Sequence, residues 1–430
     1  MGTALNASPC SRCLRIRWNL PLSYCVEPPA SASTLSGAPC QDCAPSARPA
    51  NHARRNIAVT KVSYTYCDIV AAASLGADVN DTAERLGVSA NRRAALWTGG
   101  LSLALLVSAI LCIGLGPVTI APGTVGAVVA EVTGLRAEGP WTTSEYSILR
   151  EMRIPRVILG IGVGAGLAVC GASLQAMVRN TLADPYVLGV SGGASTGAAA
   201  ALLFGFAAGA GQYALPLSAF LGALGASLLV FFLAYAQGRI TSIRLLLAGI
   251  AIGYALSAAT SFMMFAADSA EDSRSVMFWL LGSLSLARWD GFLALTVAVV
   301  VATVLALTAL APRLDALTAG DETTQALGVR PGTTRVQLLV LVSLCTGTVV
   351  AAAGAIGFVG LVVPHIGRRL VGAAHARLIP VTALLGAILL IWADAGARVL
   401  MQPRELPLGI ITALIGAPFL LILIRRMYPR

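Results

Sequence analysis

The chain has 430 residues, is 57% hydrophobic and only 12% charged, and carries a formal net charge of +10. Soluble domains are about a quarter charged, so an ordinary soluble enzyme is excluded. The excess arginines do not suggest nucleic acid either, because they fall mostly in short segments between apolar runs. The sole lysine, Lys61, is followed by Val62. A Walker A loop needs Gly-Lys-Ser/Thr to hold nucleotide phosphates, so any ATP-driven step requires a partner.

Residues 1–90 differ in kind from the rest. They hold Cys10, Cys13, Cys25, Cys40, Cys43 and Cys67, are dense in proline as far as Pro49, and contain no apolar run fit for a span or a secretory leader. Cys10-Ser-Arg-Cys13 and Cys40-Gln-Asp-Cys43 have the C-x-x-C spacing of zinc sites. The pairs lie further apart than a zinc ribbon usually allows, however, and little around them can pack. This segment is expected to be a disordered or spurious N-terminal extension without a metal, with residues 91–430 forming a transmembrane domain.

A hydrocarbon core of about 30 Å takes about 20 apolar residues per helix. From residue 94 the uncharged runs predict ten helices, near 94–116, 155–178, 187–208, 213–236, 244–267, 290–311, 335–357, 360–372, 378–399 and 406–425. No charged residue occurs between Pro185 and Gly238, a stretch broken at Gly209–Gln212 and Pro216 and therefore read as a helical hairpin. Ser275–Ala287 is too short to cross and suits a segment that enters partway and turns back. Ten crossings place both termini on one side. Arginines favour that side, which the positive-inside rule makes cytoplasmic. Arg153, Arg156 and Arg398 run against the trend and fall on the outer side.

Gly160, Gly162, Gly164 and Gly166 in the second helix, and Gly189, Gly192, Gly193 and Gly197 in the third, give the small-xxx-small spacing that lets backbones approach where lipid supplies no hydrophobic drive. Tyr254, Met263 and Met264 on the fifth either line a path or pack against neighbours. The longest polar inner segment, about 312–335, contains "AGDETTQALGV", where Asp321 and Glu322 favour the first turn of a short helix. It reads either as a solvated loop or as a docking helix for a cytoplasmic partner. Asp394 and Arg398 stand i and i+4 and can pair. The three histidines are not spaced as a ligand set, His365 among them, and no nucleophile–base pair or carboxylate dyad converges. No resident cofactor or metal and no catalytic residue is expected.

"RIPRVILGIGVGAGLAVCGASLQAMVRNTLADPYVLGVSGGAS", "AGDETTQALGV", "GAIGFVGLVVPHIGRRLVG" and "RELPLGIITALIGAPFLLILIRR" together resemble the FecCD-type permeases of ABC importers, which take up iron–siderophore complexes, haem or cobalamin. The resemblance spans roughly residues 95–430. It implies an all-α, polytopic, cobalamin-importer-permease-like fold with ten transmembrane helices per subunit and cytoplasmic termini, in a bacterial inner membrane. It also implies a homodimer or pseudo-dimer of permease copies, two cytoplasmic ATP-binding subunits, a periplasmic substrate-binding protein, and no nucleic acid. Matched by motif, the family's docking arginines fall on Arg153, Arg156 and Arg398. Its ATPase-coupling contacts fall on Gly320, Asp321, Glu322, Ala326, Leu327 and Gly328. Its path-lining helix falls on the fifth, with Tyr254, Met263 and Met264. An iron–siderophore or haem cargo is expected, with cobalamin as the alternative. A secondary transporter is the competing class, but it lacks carboxylates at the membrane centre for ion coupling.

Overall fold

The computed structural model describes residues 79–134, 139, 141–235 and 241–427. The expected extension over residues 1–90 lies outside the described residues as far as 78. From Val79 the chain is helical. "NDTAERLGVSANRR" is rich in good helix formers but polar, and hydropathy alone does not register it.

Among the described residues there are fifteen α-helices. The first, α1 (Val79–Gly114), leads to a short α2 (Pro122–Val132). Then α3 (Thr143–Ser147) passes through a π-helical turn, Ile148–Arg153, into α4 (Ile154–Val178). The hairpin α5 (Val190–Phe204) and α6 (Ala214–Ala234) precedes α7 (Ser242–Phe265) and α8 (Ala270–Leu280). Next come α9 (Gly291–Ala309), α10 (Ala311–Ala319), α11 (Asp321–Ala326) and α12 (Pro331–Ala353). The last three are α13 (Val359–Val371), α14 (His375–Val399) and α15 (Leu408–Met427).

A helix lies at each of the ten expected places. Among the described residues seven helical segments are long and apolar enough to cross a bilayer, while α5, α13 and the Leu408–Leu423 stretch of α15 fall short of that length. Three further expectations change. The helix expected over 155–178 begins earlier, because the segment Thr143–Val178 is helical on both sides of Arg153 and Arg156. The partial-entry segment is instead α8, whose first turn carries Glu271 and Asp272 over an Ser269 cap and is too polar for hydrocarbon. The long polar segment 312–335 is two helices, α10 and α11, joined at Gly320, whose φ of +113° suits glycine.

The core forms around α4, which is buried on nearly every side by α9, α12, α13 and α14. Because α4 and α14 run antiparallel, their meeting point is a pair of glycines. A Cβ on Gly164 would sit 2.2 Å from the Gly386 carbonyl oxygen, and one on Gly386 would sit 2.3 Å from that of Gly164. The backbones therefore touch, as small-residue spacing allows. Between α12 and α13 the chain breaks within the bundle, and the freed groups must find partners there. The Tyr186 hydroxyl supplies both: it accepts from the Ile356 N–H at 2.6 Å and donates to the Ile356 carbonyl at 2.8 Å.

Candidate functional site

Antiparallel packing of α4 on α14 brings charged residues together at each end of α4. That helix has 25 residues, so its ends lie about 37 Å apart at 1.5 Å per residue.

At the Ile154 end, about two turns beyond the glycine contact, Arg156 meets Asp394. Its Nε lies 2.9 Å from Asp394 Oδ1, and its Nη2 lies 2.9 Å from the same oxygen. The other edge of the guanidinium grips Glu405, with Nη1 to Oε1 at 3.2 Å and Nη2 to Oε2 at 2.9 Å. Asp394 also takes Arg398 Nε at 3.1 Å, the i, i+4 pair expected from sequence. Asp394 is 1% exposed and Arg398 3%. A buried and a part-buried cation, Arg398 and Arg156, therefore share one buried anion, and such groups are tolerable only when paired and hydrogen-bonded. The remaining donors go to the end of α1. Arg398 donates to the carbonyls of Leu115 at 2.7 Å and Cys112 at 2.9 Å. Arg153 donates to those of Ile113 at 3.0 Å, Gly114 at 2.9 Å and Val118. Cys112, Ile113 and Gly114 belong to the last turn of α1 and Leu115 and Val118 follow it, so the arginines gather at a helix C-terminus, where cations are favoured.

This geometry adds internal partners to the three arginines that sequence reasoning put on the outer side. Arg153 and Arg398 are buried, with donors committed inside the chain, and they clamp α1 to α4 and α14. Arg156 lies nearest to solvent, next to Glu405, whose side chain is 41% exposed. Sequence reasoning gave Glu405 no partner. The signal available was a lone carboxylate in "RELPLG" just ahead of an apolar helix. Glu405 also sits on the lip of a cavity of about 510 Å³, with Ser275, Trp279, Ser283 and Pro407 among its other lining residues.

At the Val178 end, α11 is tied inward through its first residue. Asp321 receives Arg335 in a two-point grip, Nη2 to Oδ1 at 2.7 Å and Nη1 to Oδ2 at 3.0 Å, and Arg179 Nη2 at 3.2 Å. The hydrogen bonds from Arg335 hold the Asp321 carboxyl below the usual carboxylate range; partial burial opposes them, and the charges of Arg335 and Arg179 add to them. Arg335 is itself buried and also donates to Ser242 Oγ at 3.2 Å, which in turn donates to the Met177 carbonyl at 3.1 Å. Thr324 is buried too, and donates to the Ala316 carbonyl at 2.8 Å. The opposite side of α11 faces outward: Glu322, Ala326, Leu327 and Gly328 are exposed, and Leu327 is 65% so. The six sequence-matched positions thus divide into an anchor, Asp321, a turn, Gly320, and four residues on an open corner. His365 is engaged by the Thr181 carbonyl at 2.9 Å.

On α7, Tyr254 is 76% exposed and continues a stripe with Ile243, Leu247 and Ile250, while Met263 and Met264 are half-buried. The three residues therefore do not form a common surface patch within one copy.

Seven helical segments long and apolar enough to cross a bilayer, with charge clusters at both ends of α4, define a multi-span membrane protein. Residues 104–426 match the FecCD transport family. The chain belongs to that family, whose members are permeases. It is 44% identical over 278 residues to the cobalamin import system permease protein BtuC of Halobacterium salinarum, covering 65% of this chain and 73% of the relative. It is 39% identical over 293 residues to the hemin transport system permease protein HmuU of Yersinia pestis (66% and 86% covered). It is 38% identical over 325 residues to the Fe(3+)-citrate import system permease protein YfmE of Bacillus subtilis (76% and 93% covered). Among solved structures it resembles a metal-chelate type ABC transporter in an inward-facing conformation, with TM-score 0.67, 31% identity, and 76% and 98% of the two chains covered.

Proposed function

We propose that the chain is the permease subunit of an ATP-binding-cassette importer that carries a bulky metal complex, an iron–siderophore complex or haem, from periplasm to cytoplasm across a bacterial inner membrane. The observation that carries this reading is the open corner of α11 in a member of the FecCD family: a short helix anchored from behind by Asp321 that presents Glu322, Ala326, Leu327 and Gly328 to a partner. With no Gly-Lys-Ser/Thr loop in the sequence, two cytoplasmic ATPase subunits hydrolyse ATP, and their closure pushes on α11. The arginine end then faces the periplasm, both termini are cytoplasmic, and an acidic substrate-binding protein docks there, Arg156 being the direct contact and Arg153 and Arg398 its support. The exposed stripe of α7 suits a second permease copy, with Tyr254, Met263 and Met264 bordering a central path between the two. Alternating access follows as a population shift, since each partner binds one state of the permease better than the other. The 44% identity to a cobalamin permease favours cobalamin as the second reading for the cargo.

Reconstituted with its ATPase and binding protein in proteoliposomes, the chain should support ATP-dependent accumulation of a ferric siderophore or haem. Competition among ferric siderophores, haem and cobalamin names the cargo. Uptake that persists with a hydrolysis-dead ATPase would refute the importer reading in favour of a secondary carrier.

A further inference from the structure

At the arginine end, one guanidinium is shared by two carboxylates of unlike character. Asp394 is 1% exposed and is also bound by Arg398, so it cannot leave without stranding two cations. Glu405 has a 41% exposed side chain and a single partner, the outer edge of Arg156. The Arg156 side chain itself is only 12% exposed. With Nε and part of Nη2 given to Asp394 and the rest to Glu405, it has no free edge for a further carboxylate. Any acidic visitor has to take the place of Glu405.

We propose that Glu405 is an internal competitor for Arg156: it occupies the two-point edge that a carboxylate of a substrate-binding protein needs, so docking exchanges one carboxylate for another. The proposal rests on the docking reading above. Exchange is electrostatically open, because Arg153, Arg156 and Arg398 face only Asp394 and Glu405, and a carboxylate brought by a partner replaces the lost one like for like. A two-point guanidinium–carboxylate grip fixes orientation as well as attraction, and it is the same grip on either side of the exchange. Release of Glu405 also frees a lip of the cavity. The segment it belongs to, Glu405-Leu406-Pro407, lines that cavity and enters α15 directly, with the Leu408 and Gly409 N–H groups held by the Gly282 and Leu281 carbonyls. Docking is thereby linked to the outer mouth of the bundle through one side chain.

The test uses the complete permease–ATPase complex in lipid nanodiscs and the purified substrate-binding protein of the same uptake system. Glu405→Gln and Glu405→Ala should each tighten docking by about three- to tenfold, mainly through faster association at low salt. They should also speed modification of Arg156 by phenylglyoxal, mapped by peptide mass spectrometry, which needs no binding protein. Docking that is unchanged or weaker in both variants, with Arg156 no more reactive, overturns the competition. Arg156→Gln separates the two layers. If docking is lost in Arg156→Gln yet unmoved by the Glu405 variants, only the competition fails. If docking survives Arg156→Gln, the docking assignment itself fails. Co-elution of each variant with the ATPase subunits verifies that it folds.

Discussion

Replacing Asp394 by asparagine keeps the shape of the side chain and removes its charge. Asp394 is the one anion that Arg156 and Arg398 both hold, at 2.9 and 3.1 Å. Without its charge Arg398, 3% exposed, keeps only neutral acceptors, the carbonyls of Leu115 and Cys112 and, at 3.4 Å, the backbone carbonyl of residue 394. Breaking a buried ion pair from one side costs about 3–5 kcal/mol, because the stranded charge still carries its desolvation penalty. At about 1.4 kcal/mol per tenfold, the folding equilibrium constant falls by a factor of about a hundred to a few thousand. Two readouts apply in detergent: the thermal midpoint from tryptophan fluorescence, and pulsed maleimide labelling of Cys112. That thiol is fully buried, and its own carbonyl is an Arg398 acceptor, so loosening of the clamp should expose Cys112 before Cys170 and Cys345. A triple variant checks the cause. Removing the whole charge set with Asp394→Leu, Arg156→Met and Arg398→Met should recover much of the loss, since apolar replacement of a buried ionic cluster is often near neutral. An Asp394→Asn protein with an unchanged midpoint and unchanged Cys112 labelling would refute the argument that these charges are mutually dependent.

Other predictions concern packing and the far end of the molecule. Gly164→Val drives a side chain into the Gly386 carbonyl, 2.2 Å from where its Cβ would lie, and should destabilise the bundle by about 1–3 kcal/mol or more; a normal thermal midpoint would deny the α4–α14 contact. Leu327→Asp puts a charge on the open corner of α11 and should weaken ATPase co-purification by about tenfold or more, as loss of an apolar anchor at an interface does, while the permease itself keeps its midpoint. Asp321 supplies a pH test. Its folded pKa is depressed, so its tether contributes fully above the unfolded value of about 3.9 and is lost as pH falls through the folded one. The midpoint difference between wild type and Asp321→Asn should therefore be level from about pH 5 to 8 and shrink only in stronger acid; a difference that changes between about pH 6 and 8 would mean another group is titrating.

Much of the fold was legible because a bilayer makes uncharged length a direct signal. The helices near 155–178, 335–357 and 378–399 appear within a few residues of where hydropathy put them. The missed pieces are those that hydropathy ignores. The polar start of α1 at Val79 is one. Another is α2, although Pro122 at its first turn and Gly134 beyond its end mark it. At the arginine end, sequence supplied the i, i+4 pair of Asp394 and Arg398, since both residues lie on one helix. It did not supply Arg156 to Asp394, which joins residues 238 positions apart, nor the use of α1 carbonyls by Arg153 and Arg398. Those contacts depend on the register of α4 against α14, which is set by glycines whose partner no single sequence names. At the α11 end the motif named six residues but gave no division among them, because only the fold turns Asp321 inward and Leu327 outward.

The grip of Arg335 has a mechanical corollary. It holds α11 by Asp321 and α7 by Ser242, and Ser242 in turn holds the last turn of α4, while Arg179 ties that end of α4 back to Asp321. The connections close into a ring. A short helix inside such a ring cannot swing alone, and a push on its outer corner has to be shared among the inner ends of three long levers.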